Sequence, residues 1–148
     1  MYVSANYLQL MIMSVKEDPI KMHKDANALM EGSSYAQARE LFEKAAELYY
    51  KGQNFFGAAE MNYKAGECSF NLKEFQKGVE FFTKSADVSL SKGFDRYGLS
   101  ALEQARDGQK ALGNTGAAEE ISKKIKEVSD KLNQQSAASD EQSFSVFS

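Results

Sequence analysis

The chain is predicted to be all-α, a stack of three antiparallel helical hairpins, and three observations carry that prediction. A pattern of residues recurs at a fixed interval of 40: Ala38-Arg-Glu-Leu-Phe-Glu-Lys-Ala-Ala-Glu-Leu48 aligns with Gly78-Val-Glu-Phe-Phe-Thr-Lys-Ser-Ala-Asp-Val88 and then with Ala118-Glu-Glu-Ile-Ser-Lys-Lys-Ile-Lys-Glu-Val128. The 148 residues hold a single Pro and no Trp, as suits long helices, because Pro removes a helical hydrogen bond and clashes with the preceding turn. Gly, Asn and Ser punctuate the apolar runs where helices of ordinary length would end.

These breaks predict helices over Lys16–Glu31, Tyr35–Lys51, Phe55–Asn71, Lys73–Lys92, Asp95–Leu112 and Ala117–Leu132. Gly32-Ser33-Ser34 stops the first, Gly52 the second and Gly93 the fourth, while Gly113-Asn114-Thr115-Gly116 turns the chain into the sixth. Within the repeat, Ala38, Gly78 and Ala118 are small, as a close helix crossing requires, and Leu41, Phe81 and Ile121 continue the apolar stripe. Leu48, Val88 and Val128 extend the stripe by two turns. Glu40, Glu80 and Glu120 precede Lys44, Lys84 and Lys124 by four positions, an order worth a few tenths of a kcal/mol on an exposed helix face. The first helices of each pair correspond more loosely, with Ala28, Cys68 and Gly108 in one small-residue slot. Cys68 therefore reads as a buried structural thiol.

The domain organisation follows: a short apolar segment over 1–15, a helical-repeat domain over 16–133 and a Ser/Gln-rich tail over 134–148. In the first segment, Val3, Tyr7, Leu10 and Met11 share a helical face, so it either docks or stays unstructured; without a Lys or Arg before Lys16, contact with a membrane surface is the weaker reading. The tail is polar and lacks helical periodicity, which predicts disorder, with Phe144, Val146 and Phe147 interrupting it.

The composition also excludes functions. With 18 Lys+Arg against 21 Asp+Glu the net charge is −3, unlike the basic footprint of a nucleic-acid binder. One cysteine and no signal-peptide pattern predict a cytoplasmic protein. His23 is the one histidine, the ten glycines lack phosphate-loop spacing, and the acidic pairs Glu119-Glu120 and Asp140-Glu141 lack an apolar surround. The chain is therefore expected to be no enzyme and to carry no cofactor or metal.

Ala26, Leu29, Ala38, Phe42 and Ala45 stand at the small and aromatic spacings of a tetratricopeptide repeat, and Gly66, Gly78 and Phe82 recur in the next pair. With its longer period, the chain more closely resembles the amino-terminal half of the soluble NSF attachment proteins (SNAPs). Asp25 to Tyr35 looks like that family's first helix and loop, Ala38 to Lys51 like its second helix, and Phe55 to Glu67, with paired alanines, like its third. The resemblance implies a right-handed α-solenoid and an adaptor that lies along a SNARE helix bundle and links it to an NSF-type ATPase in vesicle transport. The family's exposed apolar loop with paired Phe is replaced here by the short polar Gly32-Ser33-Ser34. By analogy with tetratricopeptide geometry, Tyr63, Glu67, Phe70 and Asn71 point inward as partner-binding residues, with Lys64 and Lys110 among the charges of the inner faces. A general helical-repeat scaffold binding a peptide or helix of another complex, and a self-associating subunit, are the alternatives.

Overall fold

The computed structural model describes residues 17–145. The expectations for residues 1–15 and for the side chains of Phe144, Val146 and Phe147 lie outside it. Six helices follow in order, α1 (Pro19–Glu31), α2 (Tyr35–Lys51), α3 (Phe55–Asn71), α4 (Phe75–Ser91), α5 (Asp95–Ala111) and α6 (Thr115–Ser145), and no strand occurs among the described residues. Each helix packs against the one before and the one after.

The starts and stops have local causes. The Asp18 carboxylate accepts from the Ile20 amide at 2.9 Å and Pro19 stands in the first turn, so α1 begins three residues later than predicted. Asn54 caps α3 in the same manner through the Gly57 amide. Every inter-helix turn has the same geometry: its middle residue, Ser33, Gln53, Lys73, Gly93 or Gly113, has a positive φ between 58° and 85°. The residue after it returns its amide to the helix just ended, Ser34 to the Leu29 carbonyl, Asn54 to Tyr49, Glu74 to Ser69, Phe94 to Ser89 and Asn114 to Gln109.

The structural unit is thus one helix and one three-residue turn, half the interval seen in the sequence. Ala38, Ala58, Gly78, Gly98 and Ala118 each occupy the fourth position of their helix, and all are buried. Ala45, Ala65, Ser85 and Ala105 stand two turns further along and are likewise buried. These two rows of small residues let neighbouring helices approach closely.

Contacts fix the relative directions. Between α3 and α4, Ser85 donates to the Ala59 carbonyl at 2.8 Å, Tyr63 stacks edge-on against Phe82, and Phe70 meets Phe75, so partner numbers fall as α3 numbers rise and the two helices are antiparallel. Between α3 and α5 the partners rise together: Phe56 meets Phe94, Tyr63 meets Ser100, and the Phe70 ring faces Gly108. Across α2 and α3 the partners again run oppositely, Arg39 with Ser69, Phe42 with Lys64 and Tyr50 with Phe55, so alternate helices run parallel, and His23 beside Glu60 brings α1 alongside α3. One core cluster holds Phe42, Ala45, Met61, Ala65, Cys68 and Phe81, with Leu41 packed on it; the other holds Ala86, Ala101 and Leu102, with Ile121, Ile125 and Val128 packed on it. The repeat positions Leu41, Phe81 and Ile121 all serve packing.

Two expectations are corrected. α6 does not stop at Leu132 but continues through Ser145, over most of the tail read as disordered. No Gly or Pro interrupts it after Gly116, and its Ala, Gln, Lys and Glu content sustains a helix even where the side chains from Asn133 to Ser143 are exposed. On its outer face Glu120 pairs with Lys123 at 3.2 Å, three residues on, instead of with Lys124.

Candidate functional site

Because α1, α3 and α5 lie side by side in one direction, residues spaced three or four apart on each form a continuous face. On α3 this face carries Glu60, Tyr63, Lys64, Glu67 and Asn71. On α1 it begins with His23, whose Nε2 is 3.4 Å from Glu60 Oε1 while its Nδ1 and the Tyr49 hydroxyl share a hydrogen bond at 3.2 Å. On α5 it carries Tyr97 and Ser100; the Tyr63 hydroxyl is 3.2 Å from Ser100 Oγ, and the Tyr63 and Tyr97 rings are 5.4 Å apart.

The electrostatics are those of a partly dry, acidic surface. Burial raises the pKa of Glu67, and the nearby Lys64 ammonium opposes that rise. Burial likewise raises the phenol of Tyr97, reinforced by the negative charge of Glu60 and by Tyr63 and Glu67. Tyr49 shifts the same way through burial and the carboxylates of Glu60 and Asp18. Both phenols remain protonated donors at neutral pH. Asn27, one turn beyond His23, keeps its buried Oδ1 without a hydrogen-bond partner among the described residues.

The six residues expected to bind a partner are placed unevenly. Tyr63 presents its hydroxyl to this face while its ring packs at 4.9 Å on Phe82, and Glu67 is half-buried on the same face. Lys64 extends over the Phe42 ring, 5.8 Å from its centroid. Asn71 is exposed and donates to the Glu67 carbonyl at 2.9 Å. Phe70 is wedged between α4 and α5, its ring 4.9 Å from that of Phe82 and against Gly78 and Gly108, so its area serves the core. Lys110 is exposed in the last turn of α5.

Sequence reasoning missed Glu60, Tyr97 and Ser100, and gave His23 no partner-binding role. Glu60 stands three residues before Tyr63 and seven before Glu67, so helical spacing alone could have added it. Tyr97 and Ser100 needed the parallel offset between α3 and α5.

On the opposite side, α2, α3 and α4 enclose a groove of about 420 Å³ whose walls include Glu43, Glu47, Tyr50, Lys51, Lys84 and Asp87. Its charges are mixed and arise from the exposed faces of α2 and α4. Among the described residues no group of three His, Cys, Asp or Glu side chains converges to hold a metal ion, and no helix is long and apolar enough to cross a membrane.

The fold and this face define the chain as an all-helical, helical-repeat-like protein. No protein-family model matches it, and no curated protein matches it.

Proposed function

We propose that the protein is a non-enzymatic adaptor, a right-handed α-solenoid that binds another protein along the face of α1, α3 and α5. The observation that carries this reading is the parallel ladder His23–Glu60 and Tyr63–Ser100, which sets polar heads on a surface that is already partly dehydrated. Such a surface offers hydrogen-bonding phenols and a carboxylate to a helix or extended segment laid across three helices. The resemblance to SNAPs supplies the specific partner: a SNARE-type helical bundle, with a link to an NSF-type ATPase in vesicle transport.

The test is affinity capture from cytosol with the full chain and with Glu67→Lys plus Tyr63→Ala on its face. Recovery of SNARE proteins or the NSF ATPase, lost in the double variant, supports the trafficking adaptor. The second reading is a general scaffold for a helix of another complex. Lys64 beside Glu67 favours it, since this face does not have the uniformly basic character that the SNARE-binding surface of the resembled family depends on. Recovery of some other complex through the same two side chains supports that reading. A fully monomeric chain at high concentration in sedimentation argues against self-association.

A further inference from the structure

The two polar contacts of the binding face are one contact made twice. Tyr63 and Ser100 are 37 residues apart in the chain, and so are His23 and Glu60. α3 therefore meets α5 in the register in which α1 meets α3, and positions 40 apart fall in rows that cross α1, α3 and α5. One row holds Ile20, Glu60 and Ser100, the next His23, Tyr63 and Glu103, and the third Asn27, Glu67 and Asp107. None of these rows contains Lys or Arg. Lys24 and Lys64 form a separate row that leans away, with the Lys64 ammonium over the Phe42 ring of α2.

The third row is a line of oxygen acceptors. The half-buried Glu67 carboxylate has no hydrogen bond or ion pair among the described residues, and burial raises its pKa, so its negative charge lacks compensation. Asn27 keeps its buried Oδ1 without a hydrogen-bond partner among the described residues. Asp107 is exposed and accepts from Arg106 Nε at 3.1 Å through one carboxylate oxygen, which leaves the other open. The complement of such a line is a line of cationic donors. Its spacing is set by the helices, about 10 Å from one axis to the next. We propose that this row binds a basic protein segment whose Lys or Arg side chains recur about every 10 Å, one on Glu67 and the next on Asp107. The inference rests on the reading of this face as the binding surface and adds the chemistry of what binds. A polyproline II segment meets the spacing, since every third side chain returns to the same side after about 9 Å, whereas same-side residues of a β-strand recur after about 7 Å.

A rigid peptide ruler tests this against the full chain. By fluorescence anisotropy, a labelled peptide of three Arg-Pro-Pro repeats is expected to bind at least tenfold more tightly than one of equal composition with its three Arg consecutive and its six Pro following. Glu67→Gln and Asp107→Asn should each weaken the repeat peptide about tenfold, the loss of one charge-assisted hydrogen bond, whereas Glu120→Gln on α6 should leave it unchanged. Asn27→Asp, which completes a row of carboxylates, should tighten it severalfold, a gain that a folding defect cannot produce. Circular dichroism verifies that the variants are folded. Equal affinity for the two peptides, or binding indifferent to Glu67 and Asp107, overturns the proposal. If the chain captures a protein from cytosol through Tyr63 and Glu67 yet does not bind the repeat peptide, the adaptor reading stands and the basic segment is overturned. Peptide binding that needs Glu67 and Asp107, with nothing captured from cytosol, supports the basic segment and counts against the adaptor.

Discussion

The Phe82 ring of α4 lies where a side chain on Gly66 of α3 would have to stand, for a methyl built on Gly66 would approach ring atom Cε2 to 2.7 Å. The relationship is reciprocal one turn away, where Gly78 of α4 receives the Phe70 ring of α3. Phe82 is fully buried and held by Tyr63 and Phe70, so it cannot swing aside. Alanine gains about 1 kcal/mol of helix propensity over glycine, and overpacking a tight core costs about 1–3 kcal/mol. Gly66→Ala and Gly78→Ala should therefore lower stability in urea denaturation. Gly116→Ala, with open space around it, should be neutral or stabilising by up to about 1 kcal/mol.

Phe42 and Phe82 are both fully buried at equivalent repeat positions, in α2 and α4. Truncating either ring to alanine should cost about 3–5 kcal/mol, measured as a shift in denaturation midpoint. A markedly smaller loss at one of them would show that its surroundings collapse into the cavity, and the two slots would then differ in rigidity.

The repeat was legible because burial acts on residue size: Ala38, Gly78 and Ala118 are small, and Phe42 and Phe82 large, for the same packing reason. The true period, one helix and turn, was harder to read. Its five turns share a backbone conformation but not a composition, with Ser33, Gln53 and Lys73 adopting the left-handed region that Gly93 and Gly113 enter more readily. The candidate site was half legible. Tyr63 and Glu67 follow from helical spacing on α3, whereas Tyr97 and Ser100 become neighbours only through the offset between parallel helices. The long α6 was misread because a polar stretch without periodicity resembles a loop, although nothing in it breaks a helix.

Cys68 should resist chemistry in the folded protein. Burial pushes its thiol up to about 11, with the negative charge of Glu67 adding to the rise. At pH 8, reaction with a chromogenic disulfide should proceed only at the rate of unfolding and become immediate in denaturant. The same shift has a sign for stability: between about 9 and about 11 the unfolded thiol releases its proton while the folded one retains it, so stability falls as pH rises through that window.

Arg39 of α2 reaches across to the turn between α3 and α4, donating to Ser69 Oγ at 3.3 Å and to the Glu74 carboxylate. That hydrogen bond, with the guanidinium charge, holds the Glu74 carboxyl below its ordinary value of 4.5. A depressed folded pKa stabilises the protein above the unfolded value, and the contribution disappears as pH falls through the folded one. Wild-type protein should therefore lose stability below about pH 4.5 more steeply than Glu74→Gln. Arg39→Met should remove the same slope, which thermal melts across pH 3 to pH 6 would resolve.

Glu67 separates stability from binding. Its carboxyl is half-buried and its pKa is raised, so the charged form at neutral pH opposes folding: stability is greatest at low pH and declines as pH rises from the unfolded value of 4.5 through the higher folded one. Glu67→Gln keeps the shape and removes the charge, and should raise the melting temperature at pH 7 while leaving it unchanged near pH 3. If the face of α1, α3 and α5 binds a partner through this carboxylate, the stabilised variant should at the same time capture less of it. A gain in stability with undiminished capture would place the binding surface elsewhere, with the mixed-charge groove of α2 and α4 the next to be mutated.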